Sequence, residues 1–500
     1  NRLWVNPFEI AGNGVDDEGN GVVDDIHGYD VITGQAISRV GDPEGHGTHV
    51  ACTVLGDGSK GGYAGVAPDA ELYFQAMEND NTGNFVSPSL NYLLNTAYNA
   101  GARIHTNSWG SAATSTQGQY TSEAEAVDDR SFNYDKVSNG QEGLTILFAA
   151  GNDGPGAGTV GSPSTAKNVV TVGNHQARYS GAPDNLMSGS SRGPTDDGRI
   201  KPDIIAPGGY VRSCRAQEAQ DIAGSSWQST WYLEYTGTSM ATPNAAGAAT
   251  LIREYLIEIA QRPSPQGALV KALLVLGATD INTRDIPNNN EGWGRVNLKE
   301  TLAPSQGRGI WVDDRSVLTN SGASKSYVFN VTYANSQLKA VLAWSDYRGS
   351  RFASKALVND LDLEVESPDG TVYLGNDFAN GRSTTTGTKD DINNLEVVLI
   401  DMAMKGIWTV RVKDAYHAGS GVQPFAIAVS GQGVNDLRPD PQVVANSMLL
   451  NVTIPQVGDQ VRLTTEVFNG GNIKAESVDL AFMVDGTELD RITDRKSTRL

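Results

Sequence analysis

Cysteine is scarce, with only Cys52 and Cys214 among 500 residues. That excludes a scaffold built on disulfides and leaves open either one bridge or two free thiols. Positive charge is also in short supply. Asp and Glu number 58 against 38 Lys and Arg, a formal net charge of −20, which argues against nucleic acid or an anionic membrane surface as partner and suits cation binding better. No run approaches the roughly eighteen continuous apolar residues of a membrane span. The opening NRLWVNPFEI lacks both the basic and the apolar stretch of a signal peptide.

What remains is a globular chain, 39% hydrophobic, long enough for a large first domain and one or two smaller ones. From residue 86 to about 300, β-type runs (RIHTNSW, LTILFAAGN, NVVTVGN) alternate with helix-type segments, VSPSLNYLLNTAYNA among them. SMATPNAAGAATLIREYLIEIA and PQGALVKALLVLGA read as long buried helices. This alternation predicts an α/β domain over 1–303, with a parallel sheet covered by helices on both faces. Over 304–433 the texture changes to short β-type runs such as YVFNVTY, DLDLEVES and LEVVLID between Gly, Asn and Asp turns, which predicts an antiparallel sandwich. After GVNDLRPDPQ, residues 434–500 again read as strands but fall short of the ~100 residues an Ig-like sandwich needs. The expectation is a partial Ig-like β module.

Three stretches carry chemistry. In EGHGTHVA, His46 stands between glycines, free to be a metal ligand, a catalytic base or a core residue. In YTGTSMATPNAAG, Ser239 opens a helix of small residues, beside backbone N–H groups at a positive helix end; taken alone it reads more readily as a plain N-cap. In ILFAAGNDG, Asn152 ends a buried strand as either an amide donor to developing negative charge or a turn asparagine. Zinc on His46 and His49 would need a third ligand and a spacing of four on a helix, and no His-Glu-x-x-His occurs, so His49 reads as structural.

The ordered set GHGTH, SWG, AAGN, SSRGP, KPD, APG and GTSMATP resembles the subtilases, the subtilisin-like serine proteases, over residues 1 to about 303. The resemblance implies His46 as general base, Ser239 as nucleophile, and Asn152 as oxyanion donor together with the Ser239 backbone N–H. It further implies that Ser108, Trp109, Gly110, Ala150 and Gly151 line the substrate cleft, where an extended polypeptide adds as a strand. The order of His before Ser, and the lack of a G-x-S-x-G elbow around Ser239, set aside an α/β-hydrolase.

A subtilase also needs an Asp that holds the histidine, normally in Asp-Thr-Gly or Asp-Ser-Gly after a buried strand. None of Asp16, Asp17, Asp24, Asp25, Asp30 and Asp42 stands in that motif. The expectation is that the chain begins downstream of this Asp, with Asp30 as the runner-up. On that expectation the chain by itself is nearly inactive, and the rival to a peptidase is an inactive pseudoprotease whose β modules bind.

Calcium is the expected ion, in a structural role. Asp16, Glu18, Asn20 and Asp24, with Gly21, follow the first part of an EF-hand-like loop, but His27 takes the place of its bidentate Glu. In the sandwich, Asp360 and Asp362, with Asp377, Asp391 and Asn394, form a second candidate set against the plain reading of turn formers. The last block is similar to the adhesion-related modules of secreted bacterial proteins. This implies an extracellular setting and a surface, carbohydrate or protein ligand for the C-terminal modules.

Overall fold

In a computed structural model of the chain, the described residues are 2–30, 35–36, 42, 44–77, 85–86, 88–111, 113–136, 142–177, 182–217, 227–303, 308–418 and 421–434, together with the backbone of six strands between 441 and 494. The first domain opens with β1 (Gly28–Asp30), β2 (Gln35–Ala36), α1 (His46–Leu55) and β3 (Phe74–Ala76). It continues through α2 (Leu90–Asn99), β4 (Ile104–Asn107), α3 (Ser122–Asp135), β5 (Thr145–Ala149), β6 (Val170–Gln176) and β7 (Ile204–Gly209). The hairpin β8 (Val211–Cys214) and β9 (Tyr232–Tyr235) leads into α4 (Thr238–Glu254), α5 (Gly267–Gly277) and α6 (Leu298–Leu302).

Strands β4-β5-β6-β7 form a parallel sheet in sequential order. All five residues of β5 are buried, because successive side chains point to opposite faces and both faces are covered. Ile146 and Phe148 pack with Leu90, Leu94, Ala124 and Val127 of α2 and α3. Leu147 joins the core on the other face, with α4 and α5. Helix α4 approaches the sheet closely because its first turns are small. A Cβ on Gly208, at the end of β7, would stand 2.9 Å from the Ala241 Cβ and 2.6 Å from the Gly237 carbonyl oxygen. The α/β fold with a parallel sheet that the alternation predicts is the fold found.

The second region is a sandwich of two antiparallel four-stranded sheets. One runs in the order Arg308–Asp313, Ala426–Gln432, Ser336–Ala343, Leu395–Ala403. The other runs Ser324–Val331, Gly406–Tyr416, Asp360–Glu366, Val372–Leu374. The first sheet is apolar on both faces: Leu342, Val398 and Ile427 meet the second sheet, while Val341, Val397 and Ala428 belong to the same core as α5. Beyond 440 the described backbone forms three two-stranded antiparallel pairings, of which the longest joins Val478–Val484 to Thr487–Asp494.

Candidate active site

His46 is the first residue of α1. Gly45 before it holds φ 73°, a left-handed conformation that glycine adopts without strain. Asp42 turns back on this helix start: its Oδ1 accepts the Gly45 N–H at 2.9 Å and its Oδ2 the Thr48 N–H at 2.7 Å. The His46 ring keeps an exposed edge, yet the packing around it desolvates the imidazole and holds its pKa below the usual histidine value. The Asp42 charge opposes that shift.

One turn on, His49 is fully buried, with Nε2 at 3.1 Å from the Val211 carbonyl oxygen and its ring 4.9 Å from that of Tyr235. Burial pushes its pKa down to about 4, so it is a neutral packing residue, as the sequence suggests. Cys52 and Cys214 are joined in a disulfide, which ties α1 to β8 and closes the alternative left open in the sequence.

Ser239 sits at the start of α4, after Gly237 and Thr238. Its Oγ donates to the Ser108 carbonyl at 3.2 Å, and Ser108 Oγ donates to the Ser239 carbonyl at 2.8 Å. Reciprocal bonds of this kind lock the end of β4 to the start of α4. Asn152 lies alongside: its Oδ1 accepts from the Thr238 N–H at 2.9 Å and from Thr238 Oγ1 at 3.1 Å. With the oxygen so fixed, the orientation of the amide is set and its N–H₂ is left for another acceptor. Thr238 is the functional residue that sequence reasoning passed over. The signal available was its place in GTS, next to the serine.

The residues expected to line the substrate cleft stand at the ends of two neighbouring strands. Ser108, Trp109 and Gly110 follow β4, and Ala150 and Gly151 follow β5, its parallel neighbour. Trp109 packs edge-on against Phe148 at 5.4 Å and against Phe85 at 5.5 Å. Gly151 has φ 110°, and a Cβ there would stand 2.8 Å from Ser191 Oγ, so only glycine fits. Both segments are pinned to 161–162, by Ser111 N–H to the Ser162 carbonyl at 2.7 Å and Gly161 N–H to the Ala150 carbonyl at 3.2 Å.

The EF-hand-like ligand set is not assembled. Asp16 spends its carboxylate on the N–H groups of Gly19, Asn20 and Gly21, and Asp24 on those of Gly12, Asn13 and Gly14. Tight glycine turns supply these donors locally, and they outcompete convergence on a common centre. Glu18 instead clusters with Glu9 and Asp25, and Asn20 donates to Glu18 and Asp25.

In the sandwich, Asp377 turns to Thr384 and Gly387, Asp391 pairs with Lys355, and Asn394 bonds Asn168 and the Trp344 carbonyl. Those three therefore leave the second set. Asp360 and Asp362 stay beside Glu396, with Asp362 Oδ2 also paired to Lys389. One buried carboxylate oxygen on each, Oδ1, Oδ1 and Oε1, lacks any hydrogen-bond partner among the described residues. Asp362 and Glu396 are 2% and 1% exposed. Burial, then the charges of Asp362, Asp390 and Asp391, push Asp360 up to about 7; burial, with Asp390, Asp362 and Asp360 adding to it, raises Glu396 well above the carboxylate range. Such crowding of like charges fits a hard cation.

A family model described as the subtilase family matches residues 12–294. Among curated relatives, the "Serine protease/ABC transporter B family protein tagD" of Dictyostelium discoideum is 27% identical over 496 residues, covering 71% of this chain and 27% of that protein. "Serine protease AprX" of Bacillus subtilis is 33% identical over 278 residues, covering 52% of this chain and 58% of that protein. The chain thus spans about a quarter of the length of the first of these relatives. Among solved structures, sphericase is 28% identical with a TM-score of 0.38, covering 51% of this chain and 78% of that one.

Proposed function

The chain belongs to the subtilase family of serine endopeptidases, and from that premise we propose that it cleaves polypeptides with Ser239 as nucleophile, His46 as general base and Asn152 as oxyanion donor. A serine hydroxyl is a weak nucleophile at neutral pH and needs an imidazole to take its proton. Desolvation lowers the His46 pKa, which favours the neutral imidazole that can do so. Attack by Ser239 Oγ on a substrate carbonyl forms the new C–O bond, and the proton passes to His46 and then to the leaving amine as the C–N bond breaks. The oxyanion is met by Asn152 Nδ2 and by the Ser239 backbone N–H, a first-turn amide of α4 without an intrahelical acceptor.

The observation that carries this reading is the anchoring of Asn152 Oδ1 on Thr238, directly before the serine. Ser108–Gly110 and Ala150–Gly151 then form the two walls along which an extended peptide lies. A fluorophosphonate should label Ser239, found by peptide mapping, and should fail on Ser239→Ala. Absence of label on the wild-type chain would favour the inactive binding protein instead.

The structural cation belongs to the sandwich. Asp360, Asp362 and Glu396 hold calcium there, supported by their orphaned buried oxygens. Bound calcium would neutralise the three carboxylates and fix the strand ends that carry them. The Tm should rise with added calcium in the wild type and stay flat in Asp362→Asn. The Cys52–Cys214 disulfide supports an exported setting.

A further inference from the structure

Along the strand Asp360–Glu366, successive side chains point to opposite faces. Leu361, Leu363 and Val365 fill the sandwich core, and Asp360, Asp362 and Glu364 line the other face as a row of three carboxylates. Their partners are shared unevenly. Glu364 holds Lys413 at 2.7 Å and Arg411 at 3.2 Å, both from the neighbouring strand Gly406–Tyr416. Asp362 has one ion-pair partner among the described residues, Lys389, which bonds its Oδ2 and stands 3.4 Å from Glu364 Oε1. Asp362 Oδ1, Asp360 Oδ1 and Glu396 Oε1 stay buried without a hydrogen-bond partner among the described residues, while the other oxygen of Glu396 accepts the Leu363 N–H at 2.6 Å. One ammonium therefore stands between a carboxylate already neutralised twice and a group of three that is not. The Lys389 side chain is 46% exposed and that of Asp362 only 2%, so the ammonium reaches in from the solvent side.

We propose that Lys389 is a built-in competitor at the cation site of Asp360, Asp362 and Glu396: its ammonium neutralises Asp362 in the ion-free sandwich, lowers the affinity for calcium, and passes to Glu364 on loading. This rests on the reading of those three carboxylates as the calcium site. A hard cation is held by several carboxylate oxygens, singly or in pairs, and Asp362 offers only Oδ1 while Lys389 holds Oδ2. An ammonium on the same carboxylate also repels a second cation, the more so where the carboxylate is buried. The transfer is short, because Glu364 is the only other carboxylate that Lys389 meets among the described residues. The two acids that follow it in the chain are engaged elsewhere: Asp390 accepts the Ile392 and Asn393 N–H groups, and Asp391 pairs with Lys355.

The test uses the full chain, stripped of metal with a chelator, in wild-type, Lys389→Gln and Lys355→Gln forms. Calcium binding is read by titration calorimetry and by the rise of Tm with calcium concentration. Lys389→Gln should bind calcium on the order of tenfold more tightly than the wild type, because a repelling unit charge is gone. In the chelator it should melt below the wild type, since Asp362 has lost its counter-charge. Lys355→Gln removes a charge of the same sign from the exposed pair with Asp391 and should change the affinity by less than about twofold. Calcium affinity in Lys389→Gln equal to or weaker than that of the wild type overturns the proposal and leaves the calcium site standing. If neither form binds calcium, the calcium reading falls and the competitor role falls with it. Binding by Lys389→Gln alone would show the competition at its strongest.

Discussion

Asn152 is a donor whose other end is already spent on Thr238, and that makes it stiff where a surface asparagine would rotate. Preorganised donors cost no reorganisation when charge develops, so Asn152→Ala should lower kcat by about 10²–10³ with KM little changed, measured on a chromogenic peptide. Thr238→Val keeps the backbone bond and removes the hydroxyl; its loss should be smaller, about tenfold. The same stretch explains what the sequence could and could not show. Ser239 and Asn152 stand out by motif, but the bond that ties them runs through Thr238, 86 residues from Asn152, and no local pattern encodes it. His46 carries the pH dependence. Its reactive form is neutral, and the desolvation of its ring lowers its pKa, so activity is lost as pH falls through a value below the ordinary histidine 6.5. A kcat/KM profile with its acid limb above pH 7 would contradict this.

At the scale of elements, α1 carries much of the site's precision. Its start is fixed by Gly45 and Asp42, its middle by His49 against Val211, and its far side by the disulfide to β8. The bridge closes a separation of 162 residues, which on chain entropy contributes on the order of 5 kcal/mol. Cys52→Ala with Cys214→Ala should therefore lower the denaturant midpoint markedly. Labelling of Ser239 should persist where the protein stays folded, because the anchors of His46 at Asp42 and Gly45 remain. Elements such as β5, α4 and α5 were legible because their apolar runs are long and their periods clear. The N-terminal acidic loop was not. Spacing counts possible ligands, whereas the actual carboxylates of Asp16 and Asp24 were captured by neighbouring glycine N–H groups.

Across the whole molecule, the subtilase region and the sandwich share one core, and this decides whether they can be separated. Every residue of α5 is buried, an outcome the first domain does not achieve alone, since Val341, Val397 and Ala428 of the sandwich belong to the same cluster. The two ends of α5 are capped from outside it. Asp135 accepts the Gly267 and Ala268 N–H groups and a bond from Ser345 Oγ, and Lys339 Nζ donates to the Val275 carbonyl at 2.7 Å. Nearby, Lys167 is buried between Asp128 at 3.1 Å and Asp346 at 3.4 Å, one carboxylate from each domain. The expected boundary near 303 rests on a change of texture in the sequence, but these polar pairings, up to 210 residues apart, leave no such signal. Burial of a charge without its full set of partners is costly, so Asp346→Ala should destabilise the protein by about 3 kcal/mol. The loss should appear in calorimetry as a single transition moved to lower temperature, both domains melting together. Deletion of residues 308–434 should leave an insoluble or unfolded remainder rather than a free peptidase. Two separate transitions in the wild type, or a soluble truncated chain that labels at Ser239, would show instead that the first domain stands without the second.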